Sequence, residues 1–145
     1  MEREAGTLEE FEAAARSFAG SLAPRGSGAT LVTLSGELGT GKTTFVQALA
    51  KALGITDAVT SPTFVLEKVY ALPEGARFKR LVHIDAYRLG GADELPALGF
   101  DELMQDAKSL IVMEWPERVA PLLRGVAHAL TLTVREDGTR AISHA

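Results

Sequence analysis

The chain has 145 residues, no cysteine and a formal net charge of −4. This length predicts one domain over residues 1–145, too small to combine a nucleotide domain with a full substrate domain. The lack of cysteine excludes disulfides and thiolate metal sites, and the charge disfavours tight nucleic-acid binding by this chain alone. The acidic start MEREAGTLEE and the absence of a long apolar run favour a cytoplasmic protein without membrane attachment.

The first predicted element is an amphipathic helix. Thr7 and Glu10 form a capping box, and apolar residues follow at helical spacing from Leu8 to Leu22, before Pro24. A structural role is the simplest interpretation of this helix. The alternative is that it packs beside the next segment and borders the base of a nucleotide.

A strand, a glycine-rich loop and a helix follow. Ala29–Ser35 is short, apolar and β-branched, as in a strand covered on both faces. The loop GELGTGKTT occupies Gly36–Thr44, and the next helix covers about Lys42–Leu53 and ends at Gly54 in the left-handed position. This order is the context in which the pattern G-x-x-x-x-G-K-[ST] binds phosphate.

The chemistry of this loop predicts an ATP site. Its backbone N–H groups and the positive end of the following helix attract phosphate oxygens, and glycines permit the close approach. Lys42 is expected to reach the β- and γ-phosphates, and the Thr43 hydroxyl to ligate Mg²⁺. The candidate nucleotide-binding residues are Gly36, Glu37, Leu38, Gly39, Thr40, Gly41, Lys42, Thr43 and Thr44.

The middle of the chain predicts a hydroxyl-rich turn and a β-hairpin. The turn, Thr60 to Thr63, can orient water or phosphate but is equally compatible with an ordinary loop. Phe64–Ala71 and Phe78–Ile84 are predicted strands of the hairpin. Its basic residues form a solvated face or a surface for a partner or RNA. These residues are Lys68, Arg77, Lys79 and Arg80, with Arg88 just beyond.

The last part of the chain alternates short helices and strands. Acidic starts predict helical turns at Asp93–Leu98 and Asp101–Gln105. The further predicted elements are a strand at Ser109–Met113, a helix at Pro116–Leu123 with Val119, Leu122 and Leu123 facing inward, a strand at His128–Val134 and an edge strand at Arg140–Ser143. The last two are joined by the hairpin turn Asp137–Gly138.

Two acids at strand ends are candidates for catalysis and for magnesium. In phosphate-loop enzymes an Asp at the end of an apolar strand holds the ion; Asp85 has this residue type, whereas Glu114 follows the more apolar strand, and both end strands. Thr43, Asp85 and Glu114 can together be ligands or near-ligands of the ion, or one of the two carboxylates can instead orient the attacking water. The alternative for each is a helix cap or a surface carboxylate. His83 is interpreted as a satisfied residue of the sheet.

Absent motifs narrow the nucleotide and the reaction. No [NT]-K-x-D motif is present, so ATP is favoured over GTP, and no long insert offers the clustered arginines of a small-molecule kinase. Three functions remain open: an ATPase, a nucleotide-gated binding module whose hydrolysis is incidental, and a small-molecule kinase.

Four motifs in order resemble the TsaE (formerly YjeE) family of small ATPases of tRNA threonylcarbamoyladenosine synthesis. They are GELGTGKTT, SPTF (Ser61 to Phe64), HIDAYRL (His83 to Leu89) and EWPE (Glu114 to Glu117). The resemblance covers nearly the whole chain. One departure is the short MEREAG before Thr7, which leaves almost no room for a strand ahead of the first helix.

The resemblance implies an α/β phosphate-loop NTPase fold with a mixed, mainly parallel sheet flanked by helices. It implies ATP and Mg²⁺ as ligands, with metal positions at Thr43 and Glu114, Asp85 as the second acid, and Trp115 beside the site. It also implies association with the TsaD and TsaB proteins and contact with tRNA through that complex. The lack of an obvious arginine finger and the small size of the chain further predict a weak ATPase that needs these partners.

Overall fold

The computed structural model describes residues 2–56, 59, 67–89 and 92–145, without the side chains of Arg88 and Ala92. The predicted turn Thr60 to Thr63 and the SPTF motif therefore lie outside the described residues. So do the first residues of the predicted strand Phe64–Ala71. None of the helices in the described ranges has the length and apolar character that a membrane span requires.

One sheet runs through the described part of the chain. Its strands are β1 (Glu2–Ala5), β2 (Thr30–Ser35), β3 (Glu67–Ala71), β4 (Arg80–Asp85), β5 (Ser109–Glu114), β6 (Val126–Val134) and β7 (Arg140–His144). Their order across the sheet is β1-β7-β6-β2-β5-β4-β3. The central pairs β6–β2, β2–β5 and β5–β4 are parallel, whereas β1–β7, β7–β6 and β4–β3 are antiparallel. The prediction of a mixed sheet with a hairpin is thus confirmed, and the parallel pairs form the centre of the sheet.

Helices and short turns cover the two faces of the sheet. The α-helices are α1 (Leu8–Ser21), α2 (Lys42–Ala52) and α3 (Phe100–Met104). The 3-10 turns are Ala86–Arg88, Ala92–Glu94, Pro96–Leu98, Pro116–Arg118 and Ala120–Leu122. One buried apolar cluster joins α1 and α2 to the sheet, and a second joins the other face to the turns and α3. Because β2 is covered on both faces, nearly all of its residues are buried.

Helix α1 forms where its capping box predicts. The Thr7 hydroxyl oxygen accepts a hydrogen bond from the Glu10 N–H at 3.1 Å, which satisfies one of the free donors of the first turn. Phe11 is buried and meets Phe45 of α2 edge to face, with 5.9 Å between ring centroids. Leu8, in contrast, is 56% exposed, so the apolar face begins one turn later than predicted.

The predicted helix Pro116–Leu123 is wrong in form. The segment folds as two 3-10 turns, Pro116–Arg118 and Ala120–Leu122. Pro121 explains the break, because proline lacks an N–H donor and its ring would clash with the carbonyl four residues earlier in a continuous α-helix. Val119 is buried as expected, but Leu122 is 40% exposed.

The ends of the chain correct two further predictions. Residues Glu2–Ala5 do form a strand, β1, and it pairs antiparallel with β7. Strand β7, predicted at the sheet edge, therefore lies between β1 and β6. Glu2 and Glu4 both pair with Arg135 of the hairpin that joins β6 to β7.

Candidate nucleotide-binding site

The glycine-rich loop joins the carboxyl end of β2 to the first turn of α2. At Gly36, with φ of 152°, an added Cβ would lie 2.6 Å from the Leu132 carbonyl oxygen and 2.7 Å from Thr40 Oγ1. Gly41 caps α2 with φ of 99°, and a Cβ there would lie 3.2 Å from the Phe11 ring. Glycine is required at both positions because the loop is wedged between β6 and α1.

One side chain of the loop bonds to the loop's own backbone. Thr40 is buried, and its hydroxyl donates to the Glu37 carbonyl oxygen at 2.8 Å. Thr40 therefore supports the loop conformation through its side chain, whereas Leu38 is 76% exposed at the mouth. Thr43 and Thr44 lie in the first turn of α2 and line the cleft.

Lys42 is held inside the site. Its Nζ donates to the carbonyl oxygens of Gly36 at 2.5 Å and Glu37 at 3.0 Å, and it lies 4.2 Å from the centroid of the Trp115 ring. Burial lowers the pKa of Lys42, while Glu114, Asp85 and, more weakly, Glu117 act in the opposite direction. A lysine restrained in this way is preorganised to receive an anion at low conformational cost.

The structure brings the two candidate acids together. Asp85 ends β4 and Glu114 ends β5, and their Cα atoms are direct partners in the parallel pairing of these strands. Glu114 is in turn opposite Leu34 at the end of β2, next to the loop. Both carboxylates are buried. They lie at the carboxyl edge of the sheet, where ligands of open α/β folds bind.

The two acids differ in their hydrogen bonds. Asp85 Oδ1 accepts from the Tyr87 N–H at 3.0 Å and so caps the 3-10 turn that follows β4. The capping alternative for Asp85 is thus part of its role. Glu114 Oε2 instead lies 2.6 Å from His83 Nε2.

Two residues that the sequence analysis did not assign to the site belong to it. His83 is fully buried and contacts Glu114, and Tyr87 lines the cleft with its ring centroid 4.9 Å from that of Trp115. Alternation along a strand could have identified His83, because residues 83 and 85 lie on one face of β4. Trp115 itself has φ of 59° and ψ of 50°, a left-handed conformation that is uncommon outside glycine.

An open cleft of about 320 Å³ lies between the glycine-rich loop and the ends of β4 and β5. It is lined by Leu38, Gly39, Gly41, Lys42, Thr43, Thr44, Asp85, Tyr87, Glu114 and Trp115. In the described part of the chain no three His, Cys, Asp or Glu side chains are close enough to hold a metal by themselves. A hydroxyl and two carboxylates do fit Mg²⁺, which retains several waters and takes further oxygens from phosphates.

Two arginines of the predicted basic face make contacts within the chain. Arg77 donates to the carbonyl oxygens of Gly20 and Leu22 at the end of α1, and Arg80 pairs with Asp106. Lys68 and Lys79 are exposed. Arg88 cannot be assigned to this face, because its side chain lies outside the description.

Comparison with known proteins agrees with the fold and the loop. The family model described as "Threonylcarbamoyl adenosine biosynthesis protein TsaE" matches residues 6–142. A crystal structure of YdiB from Bacillus subtilis superposes with a TM-score of 0.75 at 27% identity, covering 99% of this chain and 83% of that chain.

Two curated relatives are both named tRNA threonylcarbamoyladenosine biosynthesis protein TsaE. One, from Treponema pallidum, is 40% identical over 124 residues, which cover 86% of this chain and 85% of the relative. The other, from Streptomyces coelicolor, is 53% identical over 89 residues, or 60% of this chain and 57% of the relative's own length. With the family match extending from α1 into β7, the chain belongs to the TsaE family of threonylcarbamoyl adenosine biosynthesis proteins.

Proposed function

We propose that this chain binds ATP with Mg²⁺ in the cleft and hydrolyses it slowly, as the ATPase component of tRNA threonylcarbamoyladenosine synthesis. The observation that carries the proposal is the convergence of Lys42, Asp85 and Glu114 on one cleft beside a phosphate loop. We further propose that the chain is one domain in the cytoplasm, that it acts with TsaD and TsaB, and that it meets tRNA only through them.

Each side chain has a distinct task in the proposed reaction. The loop N–H groups and Lys42 hold the triphosphate, and Thr43 and Glu114 provide oxygen ligands at the metal position. Asp85 orients water in line with the γ-phosphate; if Asp85 is the metal ligand instead, Glu114 takes this task. Mg²⁺, when bound, neutralises charge on the phosphate oxygens.

The lining of the cleft supports the proposal that turnover is slow. None of the residues that line it in the described part of the chain is an arginine, and Arg118 lies over the Tyr87 ring, 5.0 Å from its centroid. An arginine delivered to the γ-phosphate increases phosphoryl transfer by about 10³- to 10⁵-fold. A partner surface that closes this open cleft and adds a cation is therefore expected to stimulate hydrolysis.

Trp115 gives a direct test of nucleotide binding. It is the only tryptophan and its ring contacts Lys42, so ATP should change its fluorescence. We expect Lys42→Ala to weaken ATP binding by at least about tenfold, because it removes a charge-assisted contact with phosphate. Lys51→Ala is the matched control, since Lys51 is exposed in the last turn of the same helix. Equal ATP affinity in both variants would exclude the loop as the binding site.

Turnover with and without partners separates the proposed functions. Hydrolysis by the purified chain should be slow and should increase when TsaD and TsaB are added together. The phosphate should appear free in solution. A small-molecule kinase would instead transfer it to an added metabolite. A nucleotide-gated binding module predicts a different result. In that case the partners are still released when hydrolysis is blocked, provided that nucleotide can exchange. Rapid hydrolysis that ignores both partners would contradict the proposal.

A further inference from the structure

The His83 side chain makes one polar contact within the described residues, and that contact is with Glu114. The imidazole is fully buried in β4, and its Nε2 lies 2.6 Å from Glu114 Oε2. His83 and Asp85 are two residues apart on one strand, so both point to the face on which Glu114 lies. His83 therefore lies directly behind the two acids, deeper in the sheet.

The direction of this hydrogen bond follows from the chemistry of its partners. An ionised carboxylate only accepts, so His83 Nε2–H donates to Glu114 Oε2. His83 Nδ1 is buried and has no partner among the described residues. The neutral ring with its proton on Nε2 leaves only an acceptor unpaired, whereas a proton on Nδ1 would add a buried donor without a partner.

An apolar residue would suit this strand position better if packing were the only requirement. On the same face of the sheet, Leu81 of β4 and Val112 of β5, which pairs with His83, are fully buried apolar residues. An apolar side chain at position 83 would also avoid the desolvation cost of Nδ1, which has no partner among the described residues. We infer that His83 is a positioning residue, whose Nε2–H fixes one Glu114 oxygen and leaves Oε1 for the metal shell or the attacking water. This inference rests on the proposed function of Glu114.

Glu114 and Lys42 both line the cleft but do not bond to each other. The two side chains attract each other electrostatically, yet Lys42 Nζ bonds to the carbonyl oxygens of Gly36 and Glu37 and makes no hydrogen bond to Glu114 in the described structure. The hydrogen bond to His83 thus engages one Glu114 oxygen without involving Lys42.

Three substitutions of His83, and one of them repeated in a Glu114→Gln background, test this role. His83→Gln places an amide N–H where Nε2 lies, His83→Asn places it nearer the backbone, where Nδ1 lies, and His83→Leu removes the donor. We expect the affinity of the nucleotide complex for Mn²⁺, measured by electron paramagnetic resonance, to fall about 10- to 100-fold in His83→Leu and His83→Asn. His83→Gln should restore most of it. In a Glu114→Gln background, His83→Leu should cause little further loss, because the residue acts through Glu114.

Further measurements distinguish a defect in metal binding from a general loss of structure. They also keep the test valid if one variant does not fold. Metal-free ATP affinity, read from Trp115 fluorescence, should be nearly unchanged in His83→Asn and His83→Leu if their defect is confined to the metal. If His83→Leu does not fold, the Gln and Asn pair still decides, since both are polar and differ only in reach. Equal Mn²⁺ affinity in wild type, His83→Gln and His83→Asn would overturn the inference alone. A wild-type protein that binds no nucleotide would instead overturn the proposed function.

Discussion

Glu114 and Asp85 lie side by side at the strand ends, but their surroundings give them different sensitivity to substitution. We expect Glu114→Ala and Glu114→Gln each to reduce partner-stimulated ATP turnover by about 10²-fold or more, with a smaller change in ATP affinity, because a metal-organising carboxylate acts chiefly in the transition state. Asp85→Asn should also slow turnover. It should keep the fold, because its amide oxygen still accepts from the Tyr87 N–H. Steady-state kinetics and ATP titration provide the comparison.

The control for these variants is Glu117→Gln. Glu117 belongs to the same EWPE motif and influences the pKa of Lys42, but it is exposed and does not line the cleft. It should alter turnover only slightly. Normal turnover combined with lower thermal stability in Glu114→Gln would mean that this carboxylate serves the fold rather than the reaction.

At the scale of elements, local sequence predicts the strand, the loop and the helix around Lys42, whereas the contacts that hold the cleft residues in place depend on distant parts of the chain. The strand, loop and helix around Lys42 are contiguous, so their composition and glycine positions predict them together. Asp85 and Glu114 could be paired because parallel strands end at one edge of the sheet. The bond from His83 to Glu114 could not be predicted, since it depends on the register between β4 and β5.

Strand β1 could not be predicted from local sequence, because it forms by pairing with a strand that is distant along the chain. The sequence Glu-Arg-Glu-Ala has no apolar alternation, and it becomes a strand only by pairing with β7. The break at Pro121, in contrast, could have been predicted from the sequence. The apolar spacing of Val119, Leu122 and Leu123 favoured a continuous helix instead.

Strand β1 therefore provides a prediction about stability. Deleting residues 1–5 should lower the free energy of unfolding by at least about 1 kcal/mol, a fall in Tm of roughly 3 °C or more for a chain of this size. It removes the pairing with β7 and the buried Ala5, and it exposes an edge that can pair with other chains. Thermal unfolding and light scattering measure the two effects.

Arg135→Ala is the control for the deletion. It removes the ion pairs with Glu2 and Glu4 but keeps the strand, and because exposed ion pairs contribute little, it should lower Tm less than the deletion does. A deletion no more damaging than Arg135→Ala would show that β1 adds nothing beyond its charges.

At the scale of the whole molecule, a histidine pair links α1 to the carboxyl-terminal hairpin. His128 Nδ1 lies 3.0 Å from His144 Nε2, and the Phe18 ring meets both imidazoles edge to face at centroid distances of 5.4 and 5.6 Å. Burial lowers the pKa of His128, and His144 and Arg25 lower it further. Protonation of His128 therefore works against the contact that joins these elements.

The sign of the pH dependence follows from proton counting. The pKa of His128 in the folded chain lies below its unfolded value of about 6.5, so at and below pH 6.5 the unfolded state binds more protons. The stability associated with His128 is present above pH 6.5 and is lost as the pH falls through the folded pKa. Urea unfolding from pH 7.5 to 5.0 should thus show the wild type losing more stability than His128→Gln, which cannot titrate. Arg25→Gln, which removes one of the charges that lower this pKa, should give a slope between the two. Parallel curves for wild type and His128→Gln would assign the acid sensitivity to other groups.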